Sequence, residues 1–185
     1  FSVSGNSQRT NKLGEKFLDR RISLASDPFH PQILSSPFDG EGGVIKPVSW
    51  VKDGELKNLR YSRFWAKEKG KEATPGAGSF SLGGEERSFE ELIHSIDDGL
   101  LISNFWYIRS VEPMNILYTG LTRDGVFRIQ KGEISYPVHN FRWNESPITV
   151  FNQLQQFSRP EKVGSMLVPA FVVEGFNLSS PSKAV

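Results

Sequence analysis

Two glycine turns constrain this chain more than any other feature. Val51-Lys-Asp-Gly-Glu-Leu56 and Ile129-Gln-Lys-Gly-Glu-Ile134 each place a polar residue and a glycine between two β-prone runs. Glycine accepts the positive φ that a two-residue hairpin demands, so both segments predict tight antiparallel hairpins. Duplication and convergent hairpin chemistry account equally for their likeness. A chain punctuated in this way must build its sheets mostly by pairing near neighbours.

Further β-prone runs flank these turns: Val44–Val51, Leu56–Tyr61, Leu100–Ile108, Ile116–Thr119, Val126–Gln130 and Ile134–Val138. A short strand is expected between Leu18 and Leu24, and a closing strand over Val163–Val173. Two helices are expected. Ser88-Phe-Glu-Glu91 is a capping box, and Phe89, Leu92, Ile93 and Ile96 follow on one helical face, with Gly99 as the stop. Ser146 caps the second, Pro147 takes its first position, and the helix is expected to reach Phe157. Residues 1–43 read as loop-rich, and Lys67–Gly84 as the longest mobile loop. The predicted fold is mainly β, a β-rich α+β class of antiparallel sheets built from hairpins. One domain is expected over residues 1–178, with a flexible tail over 179–185.

Composition narrows the chemistry. The chain has 185 residues, 22 Lys+Arg against 21 Asp+Glu, three His and no Cys. A net charge of +1 gives no global pull toward nucleic acid or an anionic membrane. No apolar run approaches the roughly 20 residues of a membrane helix. Without Cys there is no disulfide, thiolate metal site or thiol nucleophile. The three His residues, His30, His94 and His139, show no His-Glu-x-x-His spacing. His94 reads as a solvated residue on the polar face of its helix. Neither a Gly-x-Ser-x-Gly elbow nor a P-loop ending is present. The first residue is Phe1 rather than Met, so a piece of a longer protein is expected.

Two segments stay ambiguous on residues alone. Lys57–Lys71 carries six Lys/Arg against Glu68, interleaved with Tyr61, Phe64 and Trp65. Such a mixture suits either a strand with inward aromatics or a footprint for nucleic acid. Thr122-Arg-Asp-Gly125 reads as a hairpin turn or as a polar clamp for a peptide. The sequons at Asn144 and Asn177 read as chance matches.

Taken in order, SLASDP (23–28), FDGEG (38–42), VKDGEL (51–56), ATPGAG (73–78), SFEELIHSIDDGLLI (88–102), TGLTRDGVFRIQKGEISYPVHNFRWNES (119–146) and LVPAFVVEGF (167–176) resemble the C-terminal region of the TldD/PmbA family. This family of peptidases was first called modulator of DNA gyrase. The resemblance implies a cytoplasmic protein with an N-terminal α/β domain and a C-terminal β-rich domain. Subunits pair as homodimers or as TldD-like and PmbA/TldE-like heterodimers, and unfolded peptides enter an internal channel. Catalytic members hold zinc through a His-Glu-x-x-x-His motif upstream of this region and a Cys near its end. The stretch that should carry the Cys, Ser158–Ser165, has none. The resemblance therefore points to the non-metal partner type, with no catalytic or metal-binding residue in this chain. Arg123, Asp124, His139, Arg142 and Asn144 are the candidate substrate-binding groups facing the channel. They cluster at two strand connections rather than on an alternating apolar face. The alternatives are an active zinc metallopeptidase whose His motif lies upstream, and a nucleic-acid-binding β module using Lys57–Lys71.

Overall fold

The computed structural model describes residues 12–74, 76 and 78–182. In chain order the first elements are β1 (Leu24–Ser26), β2 (Val48–Lys52), β3 (Glu55–Leu56), α1 (Arg63–Lys69), β4 (Phe80–Leu82) and α2 (Phe89–His94). Next come β5 (Asp98–Glu112), β6 (Leu117–Gln130), β7 (Glu133–Val138), β8 (Asn140–Glu145) and α3 (Pro147–Asn152). The chain closes with β9 (Leu154–Phe157), β10 (Glu161–Val163), β11 (Met166–Val168), β12 (Phe171–Val173) and β13 (Leu178–Ser182). The fold is strand-rich with mostly antiparallel pairing, as the sequence predicts.

The chain forms two compact units. One comprises the described residues up to Glu85 with Arg159–Pro169; the other comprises Glu86–Ser158 with the described residues from Ala170. In the first unit six strands run in the order β10-β11-β4-β1-β2-β3. All pair antiparallel except β11 with β4. Ile22, Ile33, Ile45, Val51, Leu56, Ala66 and Leu82 are its buried apolar residues. In the second unit five strands form one sheet, β13-β8-β6-β5 with β7 also paired to β6, and β9 pairs with β12. Leu92, Ile93, Val126, Ile129, Trp143, Leu154 and Phe157 are buried there.

Both expected glycine hairpins form. Asp53 and Gly54 have φ of 51° and 76°, and Lys131 and Gly132 have 51° and 79°. Two successive positive φ values define the primed turn whose twist matches that of paired strands. Each turn is also docked. The Gly54 N–H donates to Ile22 O (2.9 Å), and the Gly54 carbonyl accepts from the N–H groups of Phe17 and Leu18 (3.0 and 3.2 Å). The N–H groups of Lys131 and Gly132 donate to Asp97 O and Ile96 O (2.6 and 2.9 Å), just beyond α2. A Cβ on Gly54 would sit 2.2 Å from Leu18 O, and one on Gly132 2.8 Å from His94 O. Glycine is required twice over, by conformation and by close backbone approach.

The α2 capping box is present, with Ser88 Oγ accepting from Glu91 N–H (3.1 Å) and the Glu91 carboxylate from Ser88 N–H (2.7 Å). Helix extents differ from expectation. The helix α2 ends at His94 rather than near Gly99, because the carbonyls of Ile96 and Asp97 are taken by the β6–β7 turn and Asp98 already pairs in β5. At Asn152 α3 stops rather than at Phe157, since Leu154–Phe157 pair with β12. A third helix, α1, arises where a strand was the structural expectation. Ser62 Oγ accepts from Trp65 N–H (3.3 Å) at its start, and Gly70 closes it at φ 58°. The predicted loop over Lys67–Gly84 thus begins in α1 and ends in β4, and the strand expected over 18–24 lies at β1 instead.

The predicted closing strand Val163–Val173 is three short strands, split by the Gly164 turn and by Pro169, which has no N–H to donate. Two of its parts lie in the first unit and one in the second. Of the tail expected to be flexible over 179–185, residues 179–182 belong to β13 and pair with β8, with Pro181 tolerated because β13 is an edge strand, and 183–185 lie outside the described residues.

These turns generate a test. Gly54→Ala adds left-handed strain and a backbone clash, and should cost roughly 3 kcal/mol or more of unfolding free energy. Gly164→Ala has φ 60° but nothing within 4 Å of the new methyl, so strain alone, about 1 kcal/mol, is expected. Denaturant unfolding of the two variants checks the contrast, and equal losses would refute the docking role of Gly54.

Candidate functional site

In the second unit, β5 and β6 pair along most of their length and are not flat. Asn104 pairs with Arg123 and Ile102 with Val126, so Asp124 and Gly125 form a bulge opposite Ser103. Asp124 has φ 62° and Gly125 φ 123°. The Thr122–Gly125 segment is therefore a bulge within one continuous strand rather than a hairpin turn. A bulge re-aims side chains locally. Here it lets Arg123 Nε reach the adjacent Asp124 carboxylate (3.5 Å), while Asn104 Nδ2 donates to the same carboxylate (2.8 Å). The Arg123 guanidinium also lies 4.7 Å from the centre of the Trp106 ring.

Register places Leu121 opposite Arg142 and Thr119 opposite Asn144. Arg123, Arg142 and Asn144 consequently share one sheet face with Trp106, and Asn144 Nδ2 lies 3.3 Å from Ser179 Oγ. The opposite face is apolar. Trp143 is 6% exposed, and its ring stands 5.2 Å from Phe105 and 6.0 Å from Phe176 between centres. Gly120 makes room for it, since a Cβ there would meet the Trp143 ring at 2.6 Å. Exposed His139 lies in the connection between β7 and β8 and makes no hydrogen bond or ion pair with the other four candidates. The sheet brings together Arg123, Asp124, Arg142 and Asn144 as neighbours on paired strands.

The described residues do not fit a zinc centre. His94 Nδ1 donates to Gly132 O (2.9 Å), and His30 Nδ1 accepts from Gln32 N–H (3.2 Å). No group of three or more His, Asp or Glu side chains comes together among the described residues, and the sequence has no thiolate to add. Ser158–Ser165, where the resemblance expects a Cys, is mostly the β10–β11 hairpin with Gly164 and Ser165 at its turn. The buried Ser158 hydroxyl accepts from Ala170 N–H (2.9 Å).

Sequence reasoning missed a second feature. The first unit holds a cleft of about 350 Å³ between the loop Asp39–Gly43, the segment Arg60–Arg63 and Ala73–Thr74. Asp39 organises the loop: Oδ1 accepts from Gly43 N–H (2.8 Å) and Glu41 N–H (3.0 Å), and Oδ2 from Gly76 N–H (3.2 Å). These bonds, Gly43 first and Gly76 next, hold the carboxyl below the usual Asp range. The FDGEG run was the available signal, an acid followed by glycines that free backbone N–H groups to turn on it. Lys57–Lys71 supplies another wall of the same cleft and then enters α1, where Lys69 Nζ lies 5.6 Å from the Trp65 ring centre.

Asp39 makes acid stability testable. Its proton leaves more readily in the folded state, so its contribution is complete above the unfolded value near pH 4 and is lost as pH falls through the lower folded value. Asp19 acts with the same sign, held down by its hydrogen bond from the Arg21 side chain. Asp39→Asn turns an acceptor facing one of these N–H groups into a donor. It should flatten the acid limb of unfolding and disperse the amide signals of Gly40–Gly43. An unchanged acid limb would refute the assignment.

Comparison with known proteins follows the same lines. A sequence profile described as the PmbA/TldA metallopeptidase C-terminal domain matches residues 2–180. The chain is 26% identical to Metalloprotease PmbA of Escherichia coli O157:H7, aligning 89% of this chain with 38% of that one. Its fold matches TldE from Thermococcus kodakarensis with a TM-score of 0.80 at 24% identity, over 91% of this chain and 42% of that one. It also matches a candidate modulator of DNA gyrase from Bacteroides thetaiotaomicron with a TM-score of 0.75 at 24% identity, over 90% of this chain and 38% of that one. The chain thus spans about two fifths of the length of these relatives. No helix among the described residues is long and apolar enough to cross a membrane. By the profile match over nearly its whole length, this chain belongs to the PmbA/TldD metallopeptidase family.

Proposed function

We propose that residues 1–178 act as the C-terminal domain of a partner-type subunit of this family, cytoplasmic and working beside a second family subunit. The domain helps form the dimer and the wall of a channel that receives unfolded peptides. The observation that carries this reading is the Ser158–Ser165 segment. Where a catalytic member needs a thiolate, this chain has a tight hairpin, and its one buried hydroxyl is already bonded to backbone. A hydroxyl does not replace a soft thiolate ligand for zinc.

Arg123, Asp124, His139, Arg142 and Asn144 are the proposed peptide-facing groups. Support comes from the bulge, which pairs a cation with an anion beside Trp106, and from the register that sets Arg142 and Asn144 on the same face. Such a surface can take up peptide carbonyls and N–H groups without demanding a sequence. The long β5 strand, at the sheet edge among the described residues, offers main-chain groups to an extended chain in the same manner.

A second reading is favoured by one specific observation, the likeness to a protein named Metalloprotease PmbA. On that reading the intact protein is itself a zinc peptidase whose ligands lie upstream. Metal analysis of the full-length protein after dialysis separates the two. Under one tenth of a zinc per subunit is expected, roughly, for a partner whose donor set is incomplete, and about one zinc would favour the second reading. With the assembled two-subunit complex, Arg123→Ala combined with Asp124→Ala should lower kcat/KM for a peptide about tenfold. Unchanged processing would remove these residues from the site.

A further inference from the structure

The cleft of the first unit is unassigned by this reading, and its chemistry is specific. Arg60 lies on its wall, with a guanidinium nitrogen 3.0 Å from where a Gly76 Cβ would be. It makes no hydrogen bond or ion pair among the described residues. Arg63 lies on the same wall, its Nη1 donating to Glu41 O (2.9 Å), which fixes the fork while leaving further N–H donors. Asp39 lies near enough to feel the Arg60 charge, but it forms no ion pair with it and directs its oxygens at three backbone N–H groups. The loop facing the two arginines is thereby shaped by its own hydrogen bonds before any ligand arrives.

Gly40 supplies an independent observation. It is not in the left-handed region, and a Cβ on it would meet nothing within 4 Å. Neither conformation nor packing requires glycine there, and the missing side chain leaves the loop backbone open to a ligand.

We propose that this cleft receives the carboxylate of an extended peptide, with Arg60 as its primary partner and Arg63 beside it, the peptide passing over Gly40. A planar carboxylate matches the two parallel donors of a guanidinium better than a spherical anion does. The carboxylate can be a chain terminus or an Asp or Glu side chain. This site stands apart from metal content and cleavage, so its failure and that of the partner-type reading are distinguishable.

The test is amide NMR on the isotopically labelled chain, titrated with acetyl-Ala-Ala-Ala, the same peptide as its C-terminal amide, and acetyl-Ala-Glu-Ala-amide. The first should shift the signals of Gly40–Gly43 and Tyr61 with saturation at about 1 mM, the affinity of a small solvent-open site. Binding by the Glu peptide as well assigns any carboxylate; binding by the free terminus alone assigns the chain end. Arg60→Gln should weaken binding about tenfold, the loss of one charge-assisted contact. Gly40→Ala should weaken it several-fold with an unchanged thermal midpoint, which separates blocking from unfolding. The proposal is overturned if no peptide gives saturating shifts, if the neutral amide binds as tightly, or if Arg60→Gln leaves the affinity unchanged.

Discussion

Both units depend on a glycine turn that is pinned from outside its own hairpin. A two-residue primed turn alone would set only the register of two strands. Here each turn also joins a distant segment through backbone hydrogen bonds: Phe17–Ile22 around Gly54, and Ile96–Asp97 against Lys131 and Gly132. Such bonds leave no side chain to choose and no rotamer to freeze. They hold local pairing and longer-range topology in one arrangement, so a methyl group at either glycine disturbs two elements at once.

The same economy of backbone governs the second unit's sheet. A flat pairing of β5 with β6 would alternate faces without interruption along the whole hairpin. Register shifts at three places break that alternation. One of them permits Tyr107 and Ile108 to face Gly120, across which Trp143 packs, and another puts Arg123 and Asp124 in contact with each other. On the apolar side the rings of Phe105 and Phe176 pack around buried Trp143, while the polar side collects charges from paired strands.

Elements legible in the sequence are those encoded within a few residues. The capping box at Ser88 and the two glycine turns state their own geometry, and the structure contains all three. What sequence hides is set by distant partners. Nothing in Leu154–Phe157 says that β12 will claim it, so the helix expected through Phe157 stops early. The Arg63–Lys69 helix is short and its pattern equally suits a strand, so only its Ser62 and Gly70 caps could have marked it. Asp124 and Gly125 look like any turn until β5 continues opposite them. At the cleft the FDGEG run is visible but mute, because the partners of Asp39 include Gly76, and Arg60 lies in a segment whose charge pattern suggests a surface rather than a wall.

The absence of a thiolate is more than a missing ligand. In the hairpin of β10 and β11, the turn residues Gly164 and Ser165 are all that separate Val163 from Met166, and the Ser165 carbonyl accepts from Phe80 N–H (3.4 Å) beside the parallel pairing of β11 with β4. A turn this tight lets β11 continue the sheet beside β4. No group of three or more His, Asp or Glu side chains stands ready beside this hairpin or elsewhere among the described residues.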